Sequence, residues 1–191
     1  MAGANVTIAG LSQETLDKTA AVIHAAVSGS QVLAVCTDVR DPKATEAAVQ
    51  ATLERFGRLD VLFPMRASRE AQVRANFATA DLGDKDPGRW WNTFEVGVRG
   101  VYDTVRASLP ALEKTSGRIM VISSSGAQLR VPYASDYTTS KHPVNRLVEF
   151  IALEHPKLTV FALHPVALRM QMAEETSVGF PDDLHFDPPQ P

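Results

Sequence analysis

Short apolar runs alternate along the chain with longer segments in which apolar residues recur every three or four positions. The short runs are typical of buried strands, and the longer segments of helices with one buried face. The predicted strands are Asn5 to Gly10, Gln31 to Cys36, Leu59 to Phe63, Arg118 to Ser123 and Leu158 to Leu163. The second run is rich enough in Val and Leu to predict burial on both faces. Strands that alternate with helices predict a parallel sheet with helices on both sides.

The helices between these strands are predicted from their boundary residues and apolar faces. Asp41 can cap the second helix, Pro42 occupies its first position and Gly57 closes it. The apolar faces of the first three helices consist of Leu16, Ala20, Ile23 and Val27; of Val49, Leu53 and Phe56; and of Trp90, Phe94, Val98, Val101, Val105 and Leu109. A surface loop is predicted from Pro64 to Pro87, and a last helix from Asp136 to Glu154.

Composition and charge narrow the classes of function. The 191 residues, 45% of them hydrophobic, suit one domain, which we predict over residues 1–172, with an irregular tail over 173–191. A formal net charge of -3 gives no electrostatic reason to expect nucleic acid as a partner. Cys36 is the only cysteine, so an internal disulfide and a cysteine-rich metal site are excluded, and no metal is predicted. Without a signal-peptide pattern or a membrane-length apolar stretch, we expect a cytoplasmic protein that does not enter membranes.

The second half of the chain holds a short pattern of residues with recognisable chemistry. Tyr137 and Lys141 are four residues apart at the start of a predicted helix, which places them on one helix face. Ser124 lies thirteen residues before Tyr137, at the end of a predicted strand. An ammonium near a phenol stabilises the phenolate, so the tyrosine can exchange a proton with a substrate oxygen while the serine donates a hydrogen bond to it. Alone, the pair favours a packed aromatic ring beside a solvated lysine, because isolated motifs of this kind are weak signals.

Several short segments accompany this motif in a fixed order. They are Asp38-Val39, Phe56-Gly57-Arg58-Leu59-Asp60, Ser116-Gly117-Arg118-Ile119, Ile122-Ser123-Ser124 and Phe161-Ala162-Leu163-His164-Pro165. Together they resemble the short-chain dehydrogenase/reductase family over about Ala4 to Met172. The resemblance implies an α/β fold with a three-layer, Rossmann-like parallel sheet, and it implies that Ser124, Tyr137 and Lys141 are catalytic.

Residues that would hold a nicotinamide cofactor are largely missing from the pattern. Family members begin with a strand, a Gly-rich turn and a helix that receives the pyrophosphate. Met1 stands where the family's second strand is about to begin, so we expect this first unit, and also the family's C-terminal strand, to be absent. Departures from the family's cofactor residues stand at Leu11, Pro64 to Ala67, Val166 and Met170. Gly97 stands where the resemblance implies a catalytic asparagine that helps relay protons beside the lysine. Asp38 and Val39, which commonly flank the adenine in the family, would be the cofactor-binding residues if a nucleotide binds.

Three functions stay open at this point. The first is a cofactor-independent enzyme in which Ser124, Tyr137 and Lys141 activate a carbonyl or enol for cyclisation, isomerisation or dehydration. The second is an NADP-dependent oxidoreductase of the family, and the third is a non-catalytic dimerisation partner. The sequence favours the first, with a small-molecule substrate and no cofactor expected, and with NADP(H) as the alternative.

The family's sheet order places the expected missing strand in the centre of the sheet. Two strand edges would then be exposed, and such edges are prone to association. With apolar faces on the two long helices as well, we expect a homodimer or a larger oligomer. Pro143 falls inside the last helix and predicts a kink, which puts the alignment of Tyr137 with Lys141 at risk.

Overall fold

The predicted alternation of strands and helices is confirmed in the computed structural model, which describes residues 3–65, 81–130 and 132–165. The elements are β1 (Val6–Gly10), α1 (Gln13–Ala26), β2 (Val32–Cys36), α2 (Pro42–Phe56), β3 (Val61–Leu62), α3 (Pro87–Phe94), a π-helical segment (Glu95–Arg99), α4 (Gly100–Thr115), β4 (Arg118–Ile122), a 3-10 turn (Ser125–Ala127), α5 (Ser135–Glu154) and β5 (Thr159–Leu163). Most of the predicted 64–87 loop, the departures at Val166 and Met170, and the 173–191 tail lie outside the described residues.

All strand pairs in the described residues are parallel, but they form two sheets instead of one. One sheet has the order β1-β2, and the other has the order β3-β4-β5. Within these residues β1 is paired only by β2, and β3 only by β4. Within the described residues, each of these two strands therefore has one open edge.

The third strand is shorter than the predicted Leu59 to Phe63, because only Val61–Leu62 pair with β4. The backbone just before them contacts the end of α4 and the first residue of β4. The carbonyl of Leu59 accepts a hydrogen bond from Thr115 Oγ1 at 2.7 Å, and that of Asp60 accepts one from Arg118 N at 2.8 Å. These contacts connect the start of β3 to the turn between α4 and β4.

The hydrophobic core lies around β4 and the two helices beside it. Ile119 and Val121 of β4, Leu112 of α4 and Val144 of α5 have no exposed surface. Side chains of Val101, Val105, Val148 and Ile151 complete the same cluster. Burial of this kind contributes roughly 1.5–3 kcal/mol for each large apolar side chain, so this half of the chain holds the rigid framework.

The first half of the chain is less buried than predicted. The residues of β2 are half-buried or exposed, although burial on both faces is predicted for them. A two-stranded sheet has no interior strand, so each strand keeps an open edge. The buried face of α2 also differs: it consists of Thr45, Ala48 and Thr52, while Val49, Leu53 and Phe56 are half-buried. Thr52 Oγ1 lies 3.0 Å from Thr7 Oγ1, so the face of α2 that meets β1 is polar.

The long helix that the apolar pattern predicts is divided by one irregular stretch. A π-helical segment, Glu95–Arg99, separates α3 from α4. Its buried residue is Gly97, where the family pattern has an asparagine. Extra residues in a π-helical turn change the direction of side chains, and such turns are frequent at functional sites.

Within the described residues, no helix combines the length and the apolar character that a bilayer crossing requires. The same part of the chain contains no cluster of three or more His, Cys, Asp or Glu side chains suited to a metal ion.

Candidate active site

Ser124 lies directly after β4, at the edge of the sheet where the parallel strands end. Its backbone is extended, and its side chain caps the 3-10 turn that follows, because Ser124 Oγ accepts a hydrogen bond from Gly126 N at 3.1 Å. The hydroxyl is half-buried and held in one place by this turn. Ligand sites of open parallel sheets lie outside the carboxyl ends of the strands, which is where this hydroxyl stands.

Tyr137 reaches the same place from the first turn of α5. A Cβ placed on Gly126 would lie 3.3 Å from Ser124 Oγ and 3.5 Å from Tyr137 Cε1. The serine hydroxyl and one edge of the tyrosine ring therefore both pack closely against Gly126, which has no side chain to separate them. The structure thus brings together two of the three residues for which sequence predicts catalysis.

Lys141 is the third member of the group, and it is buried, with 4% of its surface exposed. Its Nζ donates a 2.6 Å hydrogen bond to the carbonyl oxygen of Ile122, the last residue of β4. The same Nζ lies 5.9 Å from the centre of the Tyr137 ring. A solvated surface lysine, the alternative that the sequence leaves open, is therefore wrong.

Pro143 does not separate Tyr137 from Lys141. The helix α5 continues from Ser135 to Glu154 with the proline inside it. The core residue Val144, beside the proline, is fully buried, so tertiary packing offsets the hydrogen bond that proline removes. The expected misalignment is not found.

Asp38 and Val39, the predicted cofactor residues, lie after β2 at the carboxyl edge of the β1-β2 sheet. The carboxylate of Asp38 accepts hydrogen bonds from the backbone N–H of Arg40 at 2.9 Å and from its guanidinium at 2.6 to 3.1 Å. The hydrogen bond from the Arg40 side chain holds the pKa of this carboxyl below its ordinary value. Val39 contacts α4, where a Cβ on Gly100 would lie 2.8 Å from Val39 Cγ2.

Two polar contacts near the site are not predicted from the sequence. Ser123 Oγ donates a 2.6 Å hydrogen bond to Asn145 Oδ1, which connects the end of β4 to α5. Asp136, which precedes Tyr137, forms a buried ion pair with Lys85. The sequence shows a charged residue, Asp136, beside the predicted catalytic tyrosine, but no local pattern identifies Lys85, 51 residues away, as its partner.

A shallow cavity of about 390 Å³ borders this ion pair. The described residues that line it are Leu82, Lys85, Pro87, Trp90 and Trp91. The surface is mainly apolar, and the tryptophan Trp91 is 58% exposed.

Comparisons with known proteins identify the family of this chain. The family model described as short chain dehydrogenase matches residues 1–179. Short chain dehydrogenase mpl6 of Monascus purpureus is 36% identical over 160 residues, which are 80% of this chain and 52% of that protein. A Mycobacterium tuberculosis protein named as an uncharacterized NAD-dependent oxidoreductase is 29% identical over 98% of this chain and 68% of its own length. The chain thus spans about half the length of the Monascus relative.

Solved structures share the fold. An alcohol dehydrogenase from the archaeon Thermococcus sibiricus, complexed with 5-hydroxy-NADP, has a TM-score of 0.78 and 22% identity. The match covers 97% of this chain and 84% of the archaeal chain. At this identity the likeness shows a Rossmann-like α/β fold, as predicted.

The expectation that no cofactor takes part is wrong. A relative that matches 98% of this chain is named as an NAD-dependent oxidoreductase, so the comparisons point to a nicotinamide cofactor. They also favour the oxidoreductase alternative over cyclisation, isomerisation or dehydration, for which they offer no support. Departures from the family's cofactor residues do not by themselves exclude a nucleotide, because much of a dinucleotide site is made by backbone groups at the strand ends.

Proposed function

Because the chain belongs to the short-chain dehydrogenase family, we propose that it takes part in a nicotinamide-dependent oxidation or reduction of a small alcohol or carbonyl compound. The observation that carries this proposal is that Ser124 and the Tyr137 ring both pack against Gly126 just beyond the carboxyl end of β4, with Lys141 buried beside the ring. A substrate oxygen bound next to these two residues would accept hydrogen bonds from the serine hydroxyl and the phenol. Lys141 adds a positive charge behind the phenol ring.

The roles of the three residues follow from their chemistry. Tyr137 donates a proton to the substrate oxygen in reduction and accepts one in oxidation. Ser124 donates a hydrogen bond to the same oxygen and stabilises negative charge that develops there. Lys141 stabilises the phenolate form of Tyr137 electrostatically, and its bond to the Ile122 carbonyl fixes its position.

Among the described residues, those that best fit a nicotinamide dinucleotide lie where its nicotinamide ring, the part that reacts, would bind. Lys141 and the space beside Tyr137 would hold the nicotinamide and its ribose, and Val39, after β2, would contact the adenine end. The Asp38 carboxylate is already saturated by Arg40, which leaves it little capacity to accept a further hydrogen bond. When bound, the dinucleotide supplies or accepts the hydride.

The first experiment is a titration of the protein with NADH and with NADPH, followed by the fluorescence of the reduced nicotinamide. We expect saturable binding of one of the two, and turnover of that nucleotide with a panel of small ketones. Tyr137→Phe should bind the nucleotide as the wild type does but lose turnover. Absence of binding for both nucleotides, or full turnover by Tyr137→Phe, would sink the proposal.

A further inference from the structure

The first turn of α5, which carries Tyr137, is held by side chains from another part of the chain. Its N-cap position is Ala134, whose side chain cannot cap a helix. Instead, Asp136 Oδ1 accepts a hydrogen bond from Lys85 Nζ at 3.1 Å, and Asp136 Oδ2 accepts one from Thr93 Oγ1 at 3.3 Å. The position of this turn therefore depends on tertiary contacts more than on local capping.

A second contact runs beside the first. Trp90 Nε1 donates a hydrogen bond to Ser135 Oγ at 3.3 Å. Two consecutive residues of the turn, Ser135 and Asp136, are thus attached to α3 and to the segment just before it. Since Tyr137 is the next residue in the chain, any displacement of this attachment moves its backbone.

The ion pair between Lys85 and Asp136 is shielded from water. Their side chains are 11% and 8% exposed, whereas the pair between Arg106 and Glu46 is more than half exposed on both sides. A shielded pair is weakly screened by salt and cannot readily exchange its partner for water. It therefore restrains geometry in a way that an exposed pair does not.

We infer that Lys85 and Asp136 are positioning residues that set the orientation of the Tyr137 phenol, an inference that rests on the proposed function. The ion pair acts through the backbone of the first turn of α5 and does not itself touch the substrate. A misplacement of about 1 Å at a reacting group can cost about 10²-fold in rate, so a restraint at the adjacent residue is a sensitive control point.

The test uses a neutral double variant, Lys85→Met with Asp136→Asn, because a single substitution would leave one charge buried without its partner. The matched control is Arg106→Met with Glu46→Gln, which removes an exposed ion pair between α2 and α4. We expect kcat of the first double variant to fall by at least about 10-fold, with KM and Tm little changed. The control should retain kcat. Wild-type kcat in a folded Lys85→Met, Asp136→Asn protein would overturn the inference.

A spectroscopic measurement separates this inference from the proposed reaction. The chain has three tyrosines, so ζ-¹³C-tyrosine labelling gives a short spectrum in which Tyr137→Phe assigns one resonance. We expect the Tyr137 resonance to shift in the neutral double variant and in the milder Thr93→Val variant, while Tyr102 stays unchanged. If the double variant does not fold, the Tyr137 resonance of the Thr93→Val variant decides the test. An unchanged Tyr137 resonance in the folded variants refutes the inference even where no turnover is measurable, whereas a shift without nicotinamide-linked turnover counts only against the proposed function.

Discussion

Gly100 and Val39 are in such close contact that no side chain fits between them. A Cβ on Gly100 would lie 2.8 Å from Val39 Cγ2 and 3.1 Å from Val39 Cβ. The contact joins the start of α4 to the loop after β2, and with it the less buried first half of the chain to the well-packed second half. The backbone of Gly100 is helical, a conformation that any residue can adopt. Glycine is therefore required here for close packing and not for its backbone conformation.

Gly100→Ala should destabilise the protein, because overpacking of this kind costs about 1–3 kcal/mol and exceeds the helix propensity that alanine gains. In a Val39→Ala background the same substitution should cost less, since the nearest group, Val39 Cγ2 at 2.8 Å, is gone while Cβ at 3.1 Å remains. Chemical denaturation of the four proteins of this double-mutant cycle measures the coupling. Additive effects of the two substitutions would show that the contact is not tight.

Gly126→Ala should reduce activity more than stability. The new methyl group would lie 3.2 Å from Thr138 Cγ2 and 3.3 Å from Ser124 Oγ, so Ser124 or the first turn of α5 with Tyr137 must shift to accommodate it. We expect kcat/KM to fall by about 10²-fold. Gly88→Ala is the matched control, because its methyl group meets nothing nearer than Asp86 Oδ1 at 3.4 Å. Full activity of Gly126→Ala on any turned-over substrate would contradict the placement of the site.

Ser124→Ala should cost less activity than Tyr137→Phe. Loss of a positioned acid or base lowers rates by about 10² to 10⁴, while the serine contributes only a hydrogen bond to the reacting oxygen. Ser124 Oγ also caps the 3-10 turn, so a small loss of Tm is expected in Ser124→Ala. Steady-state kinetics beside thermal unfolding separates the two effects. Equal losses in kcat for the two variants would assign the proton transfer to another group.

The ion pair of Asp38 with Arg40 should make stability depend on pH in the acid range. Since the pKa of the folded Asp38 carboxyl lies below its ordinary value of 3.8, the pair stabilises the fold above that pH and loses this effect as the pH falls through the folded pKa. Asp38→Asn should therefore be less stable than the wild type at pH 7, and the difference should shrink at low pH. Urea denaturation at several pH values measures this difference in stability.

The control is Glu14→Gln, which removes an exposed ion pair with Lys18 and should change the stability little at any pH. A difference that persists unchanged at low pH would contradict the assignment.

Association into a dimer or larger assembly stays a prediction. Large apolar side chains are exposed on both long helices, with Tyr102 of α4 at 50%, Phe150 of α5 at 50% and Leu153 of α5 at 75%. Burial of these side chains between two copies would remove apolar surface from water. Sedimentation at micromolar concentration should show a species of at least twice 20.7 kDa, and Leu153→Glu should weaken it. A stable monomer would contradict the prediction.

The sequence by itself determined most elements of the fold, because their signals are local. The apolar runs predicted four of the five strands to within one residue at either end, and β3 to within two. The boundaries of α2 also follow from single residues: Asp41 accepts a hydrogen bond from Lys43 N at 2.9 Å, and Gly57 ends the helix at a φ of 75°. The sequence also predicted that Tyr137 and Lys141 lie on one helix face, because residues four apart in a helix share a face.

Only the tertiary structure decided how these parts meet. The partner of Asp136 is 51 residues away in the chain, and the carbonyl that holds Lys141 belongs to a strand 19 residues earlier. Periodicity records whether a position is apolar, but not which distant group faces it. For the same reason the pattern overestimated the burial of β2, whose exposure depends on how many strands lie beside it. The burial of Lys141 and the attachment of the Tyr137 turn to Lys85 are long-range contacts, and only the folded chain brings those residues together.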